Sequence, residues 1–254
     1  MWQCGVYPLI EKKLISAGIY SFSVECPDAA KAAKPGQFAH IRISGFTLRR
    51  PVSICDADKE NGTLRFVFEV RGEGTARLSE TGVGDNIDII APLGNGFTLP
   101  ENPARRVVLA GGGIGVPPLL GIARIMKGNA AAILGFKNSG KVILEKDFKR
   151  AGADVTICAE DEGVHKTPIP PLAEKLSRGG VDRVYACGPE PMLKAVVAEC
   201  KKRGVECEVS LEQRMGCGVG ACVVCACRAV RGGEELMLRV CRDGPVFSGR
   251  EVFP

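Results

Sequence analysis

A four-cysteine pattern near the C-terminal end constrains this chain more than any other feature. Cys217, Cys222 and Cys225 stand in the spacing C-x4-C-x2-C, and Cys241 follows after fifteen further residues. Three thiols this close can be carried by one loop, with a fourth delivered from a distance. That arrangement is what a 2Fe-2S cluster requires, since each of its two irons takes two thiolates. Gly216, Gly218 and Gly220 are interleaved with the first ligands. Glycine accepts positive φ, which lets backbone N–H groups turn toward the sulfurs and influence the potential.

Two other readings of the cysteines remain open at this level. Zinc also takes four thiolates, but structural zinc sites usually show two short Cys pairs, and only Cys222 and Cys225 have that spacing. A disulfide framework suits small secreted chains, whereas this one has 254 residues and 12 cysteines. The spacing favours iron–sulfur over both. Cys227, two residues beyond Cys225, breaks the pattern and reads as a bystander.

Composition narrows the function classes. The excess of 34 basic over 29 acidic residues is mild, and no basic run alternates with aromatics, which argues against nucleic acid as a partner. The apolar run Val107–Ala123 is interrupted by Gly111-Gly112-Gly113, Gly115 and Pro117-Pro118, so no membrane span is expected. The stretch Met1-Trp2-Gln3-Cys4-Gly5 lacks the form of an export signal, and thiol-rich chains without one are expected in a reducing cytoplasm. His40 and His165 are the only histidines, which removes most imidazole-based metal and acid–base chemistry. His40 lies within an alternating strand pattern and reads as a packed or surface residue.

The first hundred residues read as short strands and turns. Ile19–Val24, Gln37–Ile43 and Leu64–Val70 alternate in polarity, separated by Lys34-Pro35-Gly36, Glu60-Asn61-Gly62 and Val83-Gly84-Asp85. Strands at this spacing without helical crossovers suggest an antiparallel barrel. Three stretches there could carry chemistry: Arg49-Arg50-Pro51-Val52-Ser53-Ile54, Arg71-Gly72-Glu73-Gly74-Thr75, and Pro92-Leu93-Gly94-Asn95-Gly96-Phe97. A guanidinium suits a pyrophosphate, and two glycines before Thr75 as an expected N-cap suit a helix start facing an anion.

From about residue 101 the pattern changes. Arg105–Ala110 is an apolar strand, Gly111-Gly112-Gly113-Ile114-Gly115 a glycine-rich turn, and Pro117 onward a helix through Ile125. Strand, glycine turn and helix bring amides against phosphates, although the strict GxGxxG is absent and tight packing alone is the plain alternative. Further strands at Ala130–Phe136, Asp154–Ala159 and Arg183–Gly188, with helical segments such as Pro171–Leu176 between them, predict a parallel doubly wound sheet. Its ligands belong at the strand C-termini, where Cys187-Gly188-Pro189 falls. The acid that usually follows the second strand to hold a ribose is missing; Lys137, Asn138 and Ser139 stand there, and the later acidic loop is Glu160-Asp161-Glu162. From Cys207 onward the chain is expected to leave the sheet. Val223–Val230 and Leu236–Val240 would then form a hairpin around Gly232-Gly233 that delivers Cys241.

The order Arg-x-x-Ser, Gly-x-Gly-Thr, Gly-Asn-Gly-Phe, glycine-rich turn and Cys-Gly-Pro resembles the ferredoxin–NADP reductase superfamily. The resemblance implies FAD bound by Arg50, Pro51, Val52, Ser53, Val67, Phe68, Glu69, Gly74, Thr75 and Asn95. Many relatives have Tyr where this chain has Val52. It implies NAD bound by Gly111, Gly112, Gly113, Gly115, Gly188 and Pro189, with Cys187 beside the nicotinamide as the catalytic residue. The implied fold is a multidomain α+β chain: an FAD-binding antiparallel β-barrel over 1–100, an NAD-binding doubly wound α/β domain over 101–208, and a 2Fe-2S module over 209–254.

Together these groups imply electron transfer. Nicotinamide moves hydride, the cluster single electrons, and flavin either. No further acid–base or nucleophile constellation remains for an organic substrate, so electrons must pass to or from another protein. With Glu212-Gln213-Arg214-Met215-Gly216 before the first ligand and Cys241-Arg242-Asp243-Gly244-Pro245 around the last, the chain resembles the electron-transfer subunits of NAD-dependent dihydroorotate dehydrogenase B. That implies an FMN-containing catalytic partner, a heterotetramer with two of each subunit, and a place in pyrimidine biosynthesis. The alternatives are an FAD and 2Fe-2S subunit of a ferredoxin–NADP oxidoreductase or sulfide dehydrogenase complex, and, in another class, a zinc-stapled nucleotide-binding redox sensor.

Overall fold

Alternating burial in the first third closes the chain on itself. In a computed structural model that describes residues 2–102, 104–161 and 163–254, six strands precede the α/β portion: β1 (Gln3–Ser16), β2 (Ile19–Glu25), β3 (Phe38–Ile41), β4 (Arg50–Asp58), β5 (Thr63–Glu69) and β6 (Asn86–Leu93). Met1, Pro103 and the Glu162 of the acidic loop lie outside the described residues. The strands pair in the order β1-β2-β5-β4-β3-β6 and close through β6 and β1, every contact antiparallel. Their inward residues, among them Leu9, Phe22, Val24, Ile41, Leu64, Phe66 and Ile89, are at most 1% exposed and fill the interior. Phe22 meets Phe68 edge to face with centroids 5.0 Å apart. Closure removes every free strand edge.

Two short helices accompany the barrel, α1 (Pro27–Ala32) and α2 (Glu73–Ser79). The second corrects an expectation. Gly72, not Thr75, is the N-cap. Thr75 sits one turn inside, where its hydroxyl accepts from the amides of Arg71 at 2.9 Å and Gly72 at 3.2 Å. Gly72 stands in fully extended backbone at the end of the strand segment, so the helix can begin as soon as the chain turns.

The α/β portion follows as β7 (Val107–Gly112), α3 (Leu120–Met126), β8 (Ala130–Phe136), α4 (Glu145–Arg150), β9 (Asp154–Ala159), α5 (Ile169–Ser177), β10 (Arg183–Cys187), α6 (Glu190–Lys202) and β11 (Glu206–Ser210). The chain lays β8 and β9 on one side of β7, then returns to place β10 and β11 on the other. The crevice beyond the C-terminal ends of β7 and β10 is therefore a topological switch point, where doubly wound sheets bind ligands. The helix expected from Pro117 through Ile125 is present, opening as the 3-10 turn Pro117–Leu119 and continuing as α3, with a separate 3-10 turn, Gly113–Gly115, ahead of it. Pro117 and Pro118 have no N–H to donate, so a full α-helical ladder cannot begin before them.

The last segment forms the hairpin β12 (Ala226–Arg231) and β13 (Glu234–Arg239), turned at Gly232 and Gly233, with φ of 62° and 88°. Two successive positive φ values suit the tight turns that match strand twist. The chain does not leave the sheet for good at Cys207. That residue lies within β11, and β14 (Val246–Ser248) comes back to pair antiparallel with β11, followed by α7 (Gly249–Val252). Burial of Val246 and Phe247 accounts for this return, since both join the apolar core. No helix among the described residues is long and apolar enough to cross a membrane.

Truncating Phe22 to Ala is expected to destabilise the chain by about 3–5 kcal/mol, the usual cost of deleting a buried aromatic. Chemical denaturation followed by circular dichroism measures this; a loss below ~1 kcal/mol would show that the barrel interior is loosely packed.

Candidate functional site

The four cysteines of the spacing pattern come together as two pairs. Cys217 and Cys222 have sulfurs 3.4 Å apart, and Cys225 and Cys241 have sulfurs 3.3 Å apart. Both separations are far beyond a disulfide bond, and all four thiols are free. The first pair is partly exposed and the second buried, at 1% and 2% exposure. Among the described residues no three His, Cys, Asp or Glu side chains converge on a point fit for one metal ion. Two pairs, one per metal, suit a binuclear cluster; a single zinc would need all four sulfurs around one centre.

Two of the three glycines of this loop take the positive φ expected of them, and Gly216 does not. Gly218 and Gly220 have φ of 71° and 83°. The amide of Cys222 donates to the Cys217 sulfur at 3.3 Å, and that of Cys241 donates to the Cys225 sulfur at 3.5 Å. Burial alone would raise the Cys217 pKa, but the backbone N–H groups of Cys222, Val219 and Ala221, with the Cys222 thiol, bring it down to about 6. The buried Cys241 is pushed the other way, to about 12, by burial and then by its neighbour Cys225. A donor set of thiols wrapped in amides fits a sulfur-bridged iron cluster.

Beside this loop lies a cleft of about 490 Å³. Its walls include Phe38 of β3, Pro51, Val52 and Ser53 of β4, Val67, Phe68 and Glu69 of β5, Thr75 of α2, Ile114, and the segment Ser210–Met215. Seven of the ten residues expected at the flavin thus line one space: 51, 52, 53, 67, 68, 69 and 75. Arg50 and Gly74, each next in sequence to a lining residue, pack together: a Cβ on Gly74 would stand 2.6 Å from Arg50 Nε, so a side chain there would displace the guanidinium from the start of α2. Arg50 lies over the Phe46 ring and donates to the carbonyl of Leu48 at 2.7 Å. No carboxylate among the described residues pairs with it, which suits an anion-facing cation.

Asn95 is not brought to the cleft. Its side-chain amide donates to the carbonyls of Arg242 at 3.2 Å and Asp243 at 3.1 Å, while its own N–H donates to the Gly244 carbonyl at 2.6 Å. It ties the end of the barrel to the stretch just past Cys241. Spacing could not reveal this, because the two partners are nearly 150 residues apart.

A second cleft, of about 440 Å³, opens beyond the ends of β7, β8 and β9. Gly112, Gly113, Ile114, Phe136, Lys137, Lys166, Glu160 and Pro189 contribute to its walls. Glu69, Arg71 and Ile114 border both clefts, so the two spaces meet there. Glu69 holds Arg71 at 3.0 Å and Lys141 at 3.2 Å across that boundary. Lys137 lies where the missing ribose acid was noted. Glu160, beyond β9, is an acid in the cleft that the strand-two rule could not find.

Cys187 ends β10 opposite Gly111. It is 1% exposed, and burial, then the Glu212 carboxylate, pushes its thiol up to about 12. It is a neutral, packed thiol that lines neither of these clefts, while Pro189, two residues on, reaches the second. Gly115 is pressed against it: an added Cβ would lie 2.6 Å from the Cys187 carbonyl carbon and oxygen.

These parts match known proteins at three levels. Residues 212–253 match the iron–sulfur cluster binding domain of dihydroorotate dehydrogenase B. The chain is 39% identical over 250 residues to the dihydroorotate dehydrogenase B (NAD(+)) electron transfer subunit of Bacillus caldolyticus, covering 95% of each, and 38% identical to that of Geobacillus thermodenitrificans, covering 96% of each. Among solved structures, an NADH-dependent reduced ferredoxin–NADP oxidoreductase studied for flavin-based electron bifurcation superposes with a TM-score of 0.85 at 30% identity, over 98% of this chain and 90% of that one. Phthalate dioxygenase reductase shares the fold, with a TM-score of 0.64 at 17% identity over 94% and 77% of the two chains.

Barrel, doubly wound sheet and four-thiol loop therefore define a reductase of the ferredoxin–NADP reductase type with its own iron–sulfur module. Within that class, the chain belongs to the family of dihydroorotate dehydrogenase B electron transfer subunits, oxidoreductase components that work with a catalytic partner.

Gly115→Ala is expected to force the turn after β7 away from β10 and to weaken nicotinamide nucleotide binding at least several-fold, leaving flavin content unchanged. Nucleotide titration of the purified variant reads the first effect and flavin absorbance the second.

Proposed function

We propose that this subunit takes electrons from the FMN of a catalytic partner that oxidises dihydroorotate to orotate, and delivers them to NAD⁺ for pyrimidine biosynthesis. When bound, a 2Fe-2S cluster passes single electrons, FAD exchanges one or two, and nicotinamide accepts a hydride. Cys217, Cys222, Cys225 and Cys241 hold the cluster. Arg50, Gly74 and Thr75 face the flavin phosphates, and the β4 and β5 residues 51–53 and 67–69 hold the ring system in a water-poor slot. Gly111, Gly112, Gly113 and Gly115 bring backbone amides to the nicotinamide nucleotide, and Gly188 and Pro189 border the reacting ring. Cys187 backs that position as a neutral thiol, fixing the turn by packing instead of exchanging a proton. The three functional units divide near residues 100 and 208.

One observation carries the reading. The segment Ser210–Met215 lines the larger cleft and runs directly into Cys217, so the flavin wall and the cluster loop are one piece of chain. The exposed end of that loop suits the partner: Val219, Val223 and Val224 are 38%, 72% and 59% exposed around the outer thiol pair. Such apolar side chains at an electron-exit face fit a protein interface. Assembly as two copies of each subunit in the cytoplasm belongs to the same proposal.

An anaerobic absorbance titration tests it. With the partner present, dihydroorotate bleaches flavin and cluster, and NAD⁺ restores them; without the partner, dihydroorotate does nothing. Ready reduction by NADPH with no response to dihydroorotate would transfer the assignment to a ferredoxin-linked complex, the class of the solved structure with the TM-score of 0.85. Cys222→Ser is expected to abolish transfer from the partner while NADH still reduces the FAD at close to the wild-type rate. Rapid-mixing absorbance separates the two steps.

A further inference from the structure

His40 is an anomaly in the barrel. It is 0% exposed, and neither ring nitrogen has a hydrogen-bond partner. Leaving a buried imidazole without a partner costs stability, which calls for a reason. Its surroundings supply one. The ring points out of the barrel against the cluster loop, where Nδ1 would stand 2.4 Å from a Cβ on Gly218. The backbone groups facing it are those of Cys217 and Arg49. Both lie close to the ring, although neither makes a full hydrogen bond with it.

The strand that carries His40 also borders the flavin cleft. Phe38, two residues earlier, lines that cleft, and β3 pairs Phe38 with Ser53, Ala39 with Val52 and His40 with Pro51. Two residues along a strand span about 6.6 Å. His40 therefore joins a cluster ligand to the wall of the flavin slot through one short, rigid element. Arg49 strengthens the mount by donating to the His40 carbonyl at 3.3 Å while pairing with Asp88 at 2.8 Å.

We propose that His40 is a positioning residue that seats the cluster loop on the flavin-bearing edge of the barrel, its ring N–H donating to the Cys217 carbonyl when the loop is loaded. This rests on the electron-transfer reading above, and it assigns a role to a residue that the spacing motifs leave out. Gly218 is the complementary half: its positive φ and missing Cβ let the ring approach. The pair fixes how far the cluster sits from the flavin without touching either substrate.

The test uses the full chain as wild type, His40→Asn, His40→Leu and Gly218→Ala. Asn keeps an N–H near the Nδ1 position; Leu keeps bulk and removes the donor. Anaerobic mixing with NADH gives a first phase of flavin bleaching and a second of cluster reduction. The first is expected to be unchanged in all variants. The second is expected to slow several-fold in His40→Leu and Gly218→Ala and to recover in His40→Asn. Electron paramagnetic resonance of the reduced cluster is expected to shift or broaden in His40→Leu alone of the two His40 variants. In metal-free protein, amide exchange over 216–222 is expected to be faster in His40→Leu than in His40→Asn. Loss of iron from His40→Leu with retention in His40→Asn supports the same role. Equal cluster reduction and identical spectra in Leu and Asn variants, or equal loss of iron from both, would overturn it in favour of simple packing. A wild-type chain whose flavin NADH does not reduce would instead refute the electron-transfer reading itself.

Discussion

The nucleotide side of the molecule depends on how closely the turn after β7 approaches the end of β10. Parallel pairing sets Gly111 beside Cys187, and the glycines at 112 and 115 leave no side chain between the two strand ends. A Cβ on Gly112 would lie 2.7 Å from the Met192 sulfur and 2.8 Å from Pro189. Ile114, carried by this turn, borders both clefts, and Glu69 and Arg71 border them from the barrel side.

Much of this was legible in the sequence. The grouping of the four thiols was, because their spacing places three on one loop, and the structure pairs Cys217 with Cys222 and Cys225 with Cys241. The strand Ala130–Phe136 was, because both-sides burial in a parallel sheet writes a continuous apolar run, and Asp154–Ala159 was found although it is the less buried edge strand. The barrel strands at 19, 37 and 64 were, through alternation. The helix expected from Pro117 was as well, its first turn taking 3-10 form before the α-helix Leu120–Met126. The start of α2 was misplaced because Gly-rich loops offer several capping residues and sequence alone cannot rank them.

The residues that escaped were those whose partners lie far along the chain. Asn95 looked like a cofactor residue because it stands in a glycine turn, yet it grips carbonyls beyond residue 240. His40 looked ordinary in an alternating strand, since nothing local signals that its outward face is covered by a loop near residue 218. Glu160 was noted only as part of an acidic loop, because the ribose rule points to the end of the second strand, whereas the acid in this cleft follows the third. Long-range contacts leave no periodic trace, so topology had to be known first.

The placement of the fourth ligand has a consequence for biogenesis. Three thiols sit on one loop, but Cys241 reaches them only after the β12–β13 hairpin has formed and the following residues have been tied to the barrel. Small zinc domains condense around their metal. On the proposed ligand set, the fourth thiol is in place only with this hairpin and tie folded, and the partly exposed Cys217 and Cys222, not the buried pair, are the thiols open to incoming iron and sulfide.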